Sequence, residues 1–168
     1  MTLVLRLALS AVLPRSRQPI IYITDWNVIH IVPGYMNINL FHFLLLQDCS
    51  LNKLQSETAI KVSFQGNMRV QGTSSKCNRW FFKFNGNECS GPMTIEAAVY
   101  NGWPSSAGDP NLLHHRSFEG YCENIPQGTV RVELWVGSCS GGYTLGNAYT
   151  GWTSVSRIMI EEVSRPQS

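Results

Sequence analysis

From about residue 58 onward, apolar and polar side chains alternate with a period of two. This pattern is typical of β-strands that bury one face and expose the other. The apolar positions that share a face within each run are Ile60, Val62 and Phe64; Met68 and Val70; Trp80, Phe82 and Phe84; Ile95, Ala97 and Val99; Val130, Val132, Leu134 and Val136; and Ile158 and Ile160. Leu112–Phe118 is predicted as a further strand, and Gly66-Asn67 is predicted as a two-residue hairpin turn.

Gly, Pro, Asn and Ser lie in every gap between these runs, and no apolar pattern of helical period with caps is present. Short strands separated by turn residues at hairpin spacing are typical of two packed antiparallel sheets. The sequence therefore predicts an all-β fold, an antiparallel jelly-roll-like β-sandwich, over residues 49–168. A chain of 168 residues with 43% hydrophobic content is large enough to bury the core of one such domain.

Residues 1–48 are predicted to be a leader or a poorly ordered tail. Residues 2–14 form a signal-like apolar segment that ends at Pro14, although Arg6 lies inside the apolar run rather than before it. The second apolar run, Ile38–Leu46, is about half the length that a membrane-crossing helix needs. No membrane span is therefore expected, and the net charge of +2 predicts no nucleic-acid partner.

Five cysteines without a Cys-x-x-Cys pair indicate disulfide bonds in an oxidising, extracellular compartment. If successive strands run up and down, Cys89 and Cys122 lie at one end of the sandwich and Cys77 and Cys139 lie at the other. Because a bridge needs Cα atoms within about 7 Å, we predict the pairs Cys89–Cys122 and Cys77–Cys139. Cys49 is then left either as a free thiol or as a link between two chains.

Candidate catalytic groups do not converge. Gly137-Ser138-Cys139-Ser140-Gly141 has the form of a nucleophile elbow, but no helix pattern and no histidine follows it. His114 and His115 are adjacent, so on a strand they point to opposite faces. We predict no enzyme activity, no catalytic or metal-binding residues and no cofactor, and Cys139 as the nucleophile of a cysteine hydrolase ranks last among the alternatives.

Six aromatic residues are candidates for a binding surface or for contacts between subunits. They are Phe81, Trp103, Trp135, Tyr143, Tyr149 and Trp152. Phe81 points away from the face shared by Trp80 and Phe82, so something must cover it, and a neighbouring chain in a trimer would do so. Packing in the core or between subunits is the alternative role for the other five.

Several uncommon strings give the chain a resemblance to a known family. The run Arg79–Pro92 (RWFFKFNGNECSGP) resembles the carboxy-terminal domain of the collagen triple helix repeat-containing protein 1 family. Ile95–Ala97, Glu119–Glu123, Leu134–Ser140 and Thr150–Glu162 follow in that family's order. The resemblance covers about Cys49–Val163. Residues 1–48 contain no collagen Gly-X-Y stretch, which members carry before this domain, and Cys77 stands alone where members have a cysteine-rich cluster.

The resemblance implies a secreted homotrimer similar to the jelly rolls of complement and tumour-necrosis-factor type proteins. It also implies a role in extracellular matrix, cell migration and Wnt planar-polarity signalling, with Frizzled-type receptors or matrix components as partners and without enzyme activity. A lectin-like, carbohydrate-binding β-sandwich is the alternative function.

Overall fold

The computed structural model describes residues 21–23, 29–30, 43–108, 111–151 and 154–165. In chain order the strands are β1 (Ile21–Ile23), β2 (Ile29–His30), β3 (Phe43–Lys53), β4 (Ala59–Gln71), β5 (Lys76–Phe84), β6 (Asn87–Glu88), β7 (Glu96–Asn101), β8 (His114–Cys122), β9 (Gly128–Ser138), β10 (Asn147–Thr150) and β11 (Arg157–Val163). In these ranges the only helical piece is one 3-10 turn, Ser105–Ala107. The predicted all-β class is confirmed.

The strands form two antiparallel sheets. In the six-stranded sheet, β8 pairs with one edge of β4. β11 and β10 pair with successive parts of the other edge of β4. β1 pairs with the outer edge of β11, and β2 pairs with the outer edge of β10. In the five-stranded sheet the order is β3, β9, β5, with β7 and β6 sharing the outer edge of β5. The chain crosses between the sheets after β2, β3, β4, β7, β8 and β9, which is the wrapping of a jelly roll.

The predicted apolar faces meet in a single core between the sheets. Its members include Ile60, Val62, Phe64, Trp80, Phe82, Phe84, Val130, Val132, Leu134, Val136, Ile158 and Ile160, all of them buried. The alternation in the sequence therefore identified the core faces of β4, β5, β9 and β11 correctly. The reason is that side chains on a strand alternate strictly between its two faces.

The predicted hairpin at Gly66-Asn67 is wrong, because β4 continues through both residues without a turn. Phe64, Gly66 and Met68 share the core face, so the alternation never breaks. Glycine is needed at position 66 for space: a Cβ atom there would lie 2.3 Å from Ser156 Oγ. Gly66 thus lets the chain between β10 and β11 approach β4 closely.

β3 begins at Phe43, six residues before residue 49, where the sequence predicts that the domain begins. Residues 43–48 belong to β3 and pair with β9, and the short strands β1 and β2 add to the other sheet. The run Phe43-Leu44-Leu45-Leu46 does not alternate, because Leu46 faces the core whereas Phe43 packs on the opposite face of the sheet. The signal-like segment 2–14 lies outside the described residues.

Phe81 is covered as predicted, but by its own chain and not by the neighbouring chain that was suggested as its cover. Phe81 is only 1% exposed. The Arg79 guanidinium carbon lies 4.0 Å from the centre of its ring, and the Phe43 ring meets it edge-on at 5.7 Å. Phe43 belongs to β3, so this strand supplies part of the cover. The sequence prediction had divided β3 between the tail and the domain. Phe81 is therefore neither a binding residue nor evidence for a trimer.

Candidate functional site

Three loops meet at one end of the sandwich, where β4 and β7 end, β5 and β10 begin and β9 ends. We call this surface the loop end and define it as residues 71–77, 100–104 and 139–147. Cross-strand pairing sets its geometry, with Cys77 opposite Tyr100, Gln71 opposite Asn147, and an isolated parallel bridge between Lys76 and Thr144. Segments far apart in the sequence therefore form one continuous surface.

The loop 139–146 is fastened to the start of β5 by a disulfide and by hydrogen bonds. Cys77 and Cys139 form a disulfide with their Cα atoms 5.6 Å apart, which is one of the two pairs predicted from strand direction. The buried Asn78 side chain accepts a hydrogen bond from Gly146 N at 2.8 Å and donates one to Gly146 O at 3.3 Å. A Cβ atom at Gly146 would lie 2.5 Å from Val70 Cγ1, so only glycine allows this approach.

The other two loops are joined through one amide side chain. Asn101 Nδ2 donates to the carbonyl oxygens of Val70 and Gly72 at 3.4 and 3.3 Å. Its Oδ1 atom accepts a hydrogen bond from Trp103 N at 3.1 Å. The loop end is therefore held in place before any ligand arrives, and this lowers the entropy cost of binding.

Exposed aromatic rings dominate one half of the loop end. Tyr100 is 55% exposed, Trp103 is 47% exposed and Tyr143 is 46% exposed. The Tyr100 and Tyr143 rings pack edge to face with their centres 5.4 Å apart, and Tyr100 Oη donates to Ser75 Oγ at 3.0 Å. Large rings that are fixed in position yet open to water are typical of binding surfaces.

The other half of the loop end is a polar depression of about 380 Å³, with Gln71, Thr73, Lys76, Gly146 and Asn147 in its lining. Lys76 Nζ donates to Thr144 Oγ1 at 2.9 Å. None of the residues that define the loop end is an aspartate or a glutamate. The depression therefore carries a positive charge among neutral hydrogen-bonding groups.

The predicted aromatic residues do not form one cluster. Trp103 and Tyr143 lie at the loop end, whereas Trp135 and Tyr149 are half-buried on the outer faces of the two different sheets. Trp152 lies outside the described residues. The sequence analysis missed Tyr100. Two features of the sequence indicate its exposure: it alternates with Val99 on the core face of β7, and it directly precedes the turn residues Asn101-Gly102.

The outer face of the five-stranded sheet is rich in charge, but its charges are paired. Arg79 contacts Glu88 and Glu96, each at 2.5 Å. Lys83 Nζ lies 4.5 Å from the centre of the Trp135 ring, and Trp135 Nε1 donates to Glu133 at 3.0 Å. These contacts give Trp135 a role in stabilising the sheet face.

The remaining cysteines lie away from the loop end. Cys89 and Cys122 form the second predicted disulfide at the opposite end of the sandwich, with Cα atoms 5.7 Å apart. Cys49 lies in β3, half-buried against the core and without a disulfide partner in the chain. Burial, with a smaller effect of Asp48, raises the pKa of the Cys49 thiol to about 11. The thiol therefore stays protonated at neutral pH, and a link to a second chain through Cys49 stays a prediction.

The described residues offer little support for the catalytic alternatives. Cys139 is bonded to Cys77 and has no free thiol, so in this state it cannot act as the nucleophile that the cysteine-hydrolase alternative requires. His114 and His115 lie exposed on β8. The described part of the chain holds no group of three or more His, Cys, Asp or Glu that could bind a metal ion, and no helix in it is long and apolar enough to cross a membrane.

Fold and site together define an all-β, disulfide-bonded sandwich with a preorganised surface of aromatic and polar groups at one end. The chain belongs to the family described as CTHRC1, C-terminal domain, whose model matches residues 39–160. The match starts before residue 43, in agreement with the position of β3. This membership supports a secreted, matrix-associated protein in general terms, and the family is not a known enzyme family. The two disulfides are consistent with an extracellular location.

Proposed function

We propose that this chain is a secreted, non-enzymatic binding domain that forms a homotrimer and presents its loop end to extracellular partners. The observation that carries the proposal is the loop end itself. Three loops are fixed by a disulfide and by Asn78 and Asn101, and they expose Tyr100, Trp103 and Tyr143. Rigid exposed aromatic residues contribute large contact area at low entropy cost, which is why they dominate binding energies at interfaces.

Wnt and Frizzled-type receptors, or matrix components, are the partners that we propose from the family resemblance. Binding of the full chain to an immobilised Frizzled-type extracellular domain and to a matrix preparation tests this, with biolayer interferometry as the readout. We expect replacement of both Trp103 and Tyr143 by alanine to weaken binding at least tenfold, because truncating central aromatic contacts typically costs about 2 kcal/mol or more. Tyr121→Ala is the matched control, because Tyr121 is also exposed but belongs to β8 near the opposite end. Equal binding by the double variant and the wild type would refute the role of the loop end.

The homotrimer is supported by the jelly-roll wrapping and by the outer edge of β8, one of several strand edges that are unpaired among the described residues. Among the described residues, β8 pairs only with β4, and the side chains from His114 to Ser117 are exposed. Such an edge is a favourable place for another chain to pack, because its backbone groups and side chains otherwise remain in water.

Sedimentation or light scattering of the full chain tests the trimer, and we expect about three times the chain mass of 18.8 kDa. We expect Ser117→Glu to reduce the trimer population, because it places a charge on the exposed outer face of β8. Ser50→Glu, on the exposed outer face of β3, is the matched control and should leave the mass unchanged. A strict monomer at micromolar concentration contradicts the proposal.

A lectin-like role is the second candidate function. It is favoured by the position of the Tyr100 and Tyr143 rings beside a polar depression, since sugars present both apolar C–H faces and hydroxyl groups.

A further inference from the structure

We infer that the loop end recognises a carbohydrate that carries a carboxylate, such as a sialic acid or a hexuronic acid of an extracellular glycan. This inference rests on the proposed function, because it assigns a ligand class to the surface that we propose as the binding site. It adds that the group recognised on the partner is an acidic sugar.

The aromatic half of the loop end suits the apolar face of a sugar ring. Tyr100 and Tyr143 are both about half exposed and their rings pack at 67°, so they offer one ring face and one ring edge side by side. The hydroxyl of Tyr100 is held by Ser75 at 3.0 Å, which fixes the orientation of its ring. A ring of this kind combines apolar contact area with a polar tip, which is the combination that an amphipathic ligand needs.

The polar half of the loop end suits a carboxylate. Lys76 is the only charged residue among those that define the loop end, so its ammonium group has no acidic partner within them. Its contact at 2.9 Å is to the neutral Thr144 hydroxyl. A carboxylate would gain a charge-assisted hydrogen bond from this ammonium, and such bonds are about twice as strong as neutral ones.

The amide side chains of Gln71 and Asn147 complete the polar half and match the hydroxyl groups of a sugar. Asn147 Oδ1 is buried and has no hydrogen-bond partner in the structure, while its Nδ2 atom donates to Tyr149 Oη at 3.3 Å. Water does not reach this acceptor, so a ligand hydroxyl satisfies it only when the Asn147 side chain turns toward the depression. The depression of about 380 Å³ lies within the range of small-ligand sites, about 300–1,000 Å³.

The two halves are close enough to contact one ligand. Lys76 Nζ contacts Thr144, the residue after Tyr143, and Thr144 Oγ1 also contacts the Ser75 carbonyl at 3.4 Å. Ser75 in turn contacts Tyr100. The cation and the aromatic pair are therefore joined by direct contacts, and a mono- or disaccharide can contact both.

Ligand-observed NMR and calorimetry on the full chain test the inference with three probes. The probes are the methyl glycoside of N-acetylneuraminic acid, methyl β-glucuronide, and methyl β-glucoside, which is the neutral match of the glucuronide. We expect at least one acidic probe to bind and the neutral glucoside to bind about tenfold more weakly. Comparison of the first two probes shows whether the loop end binds a sialic acid or a hexuronic acid more tightly.

Two variants separate the contributions of the two halves. Lys76→Gln keeps most of the aliphatic stem and a hydrogen-bond donor, so it should remove the preference for acidic over neutral sugar while leaving circular dichroism and both disulfides unchanged. Tyr143→Ala should weaken the binding of all three probes. Lys61→Gln and Tyr121→Ala are the matched controls, since Lys61 and Tyr121 pair in register near the opposite end of β4 and should not affect binding.

Three outcomes would overturn the inference: no probe binds, the neutral sugar binds as well as the acidic ones, or Lys76→Gln keeps the preference for acid. Enzymatic removal of glycans from the receptor domain separates this failure from failure of the proposed function. If the deglycosylated partner still binds and the loop-end double variant still weakens binding, the proposed function stands and the sugar inference fails. If no partner, glycosylated or not, responds to the loop-end variants, both fail.

Discussion

Replacing Glu162 by glutamine is expected to destabilise the domain by about 3 kcal/mol at pH 7, since breaking a buried charged network has a cost of this order. Glu162 is the buried carboxylate of β11, and it holds the connection between β3 and β4 against β11. Its oxygens accept hydrogen bonds from Leu54 N at 2.7 Å, from Gln55 N at 2.9 Å and from the Thr58 hydroxyl. A glutamine amide keeps one acceptor but directs an NH2 group at a donor.

The stabilisation by Glu162 should depend on pH. Burial opposes ionisation of Glu162, but hydrogen bonds from Leu54, Thr58 and Gln55, together with the charge of Lys53, outweigh burial and lower the pKa of this carboxyl below its ordinary value of 4.5. A carboxyl whose pKa is lower in the folded state stabilises the protein above its unfolded pKa, and this contribution is lost as pH falls through the folded pKa. The difference in unfolding free energy between wild type and Glu162→Gln should therefore be full at pH 7 and shrink below about pH 4.5.

Urea unfolding followed by circular dichroism from pH 3 to pH 7 measures both effects. Glu161→Gln is the matched control, because Glu161 is the preceding residue on β11 and lies half-buried on the opposite face of the sheet. It should change the unfolding free energy by less than about 0.5 kcal/mol, as most surface substitutions do. A loss in Glu162→Gln that is small, or independent of pH, would contradict the assigned role of this carboxylate.

Replacing Trp80 by alanine is expected to cost about 3–5 kcal/mol, the range for removing a large aromatic side chain from a packed core. Trp80 is 0% exposed at the centre of β5, and its Nε1 atom donates to Thr150 Oγ1 at 2.8 Å. Because Thr150 belongs to β10 in the other sheet, this hydrogen bond crosses the core. Loss of the indole thus removes apolar contacts and also leaves a buried hydroxyl unpaired.

A second set of variants remains informative if Trp80→Ala does not fold. Thr150→Val leaves the indole N–H unpaired and should cost about 1–3 kcal/mol in urea unfolding. Trp80→Phe leaves the hydroxyl unpaired and also loses volume. In the double variant neither group is left unpaired, so the combined loss should be smaller than the sum of the two single losses. Strict additivity would show that the Trp80–Thr150 hydrogen bond contributes nothing to stability.

The core and the disulfides could be predicted from the sequence. Each depends only on which face or which end of a single strand a residue occupies. Alternation of Trp80, Phe82 and Phe84 identifies a buried face without knowledge of the partner sheet. The pairs Cys77–Cys139 and Cys89–Cys122 follow from which end of a strand each cysteine occupies, and the structure contains both.

The loop end could be predicted only in part from the sequence. Trp103 and Tyr143 were recognisable as aromatic residues in loops, but nothing local shows that the loop of Tyr143 packs against Tyr100 and Lys76. That contact depends on the bridge between Lys76 and Thr144 and on the Asn78–Gly146 hydrogen bonds. Both join residues 68 positions apart in the chain.

Residue alternation and turn spacing were enough to predict the all-β class, the buried faces of β4, β5, β9 and β11, and the end of the sandwich at which each paired cysteine lies. These features follow from the two-residue period of a strand, which is a local property. Three other features emerge only when the chain is folded: Gly66 lies within a continuous strand, Phe43 and Arg79 cover Phe81, and three loops form one aromatic and cationic surface. These features depend on pairing between strands distant in sequence, where register and close backbone approach set the contacts.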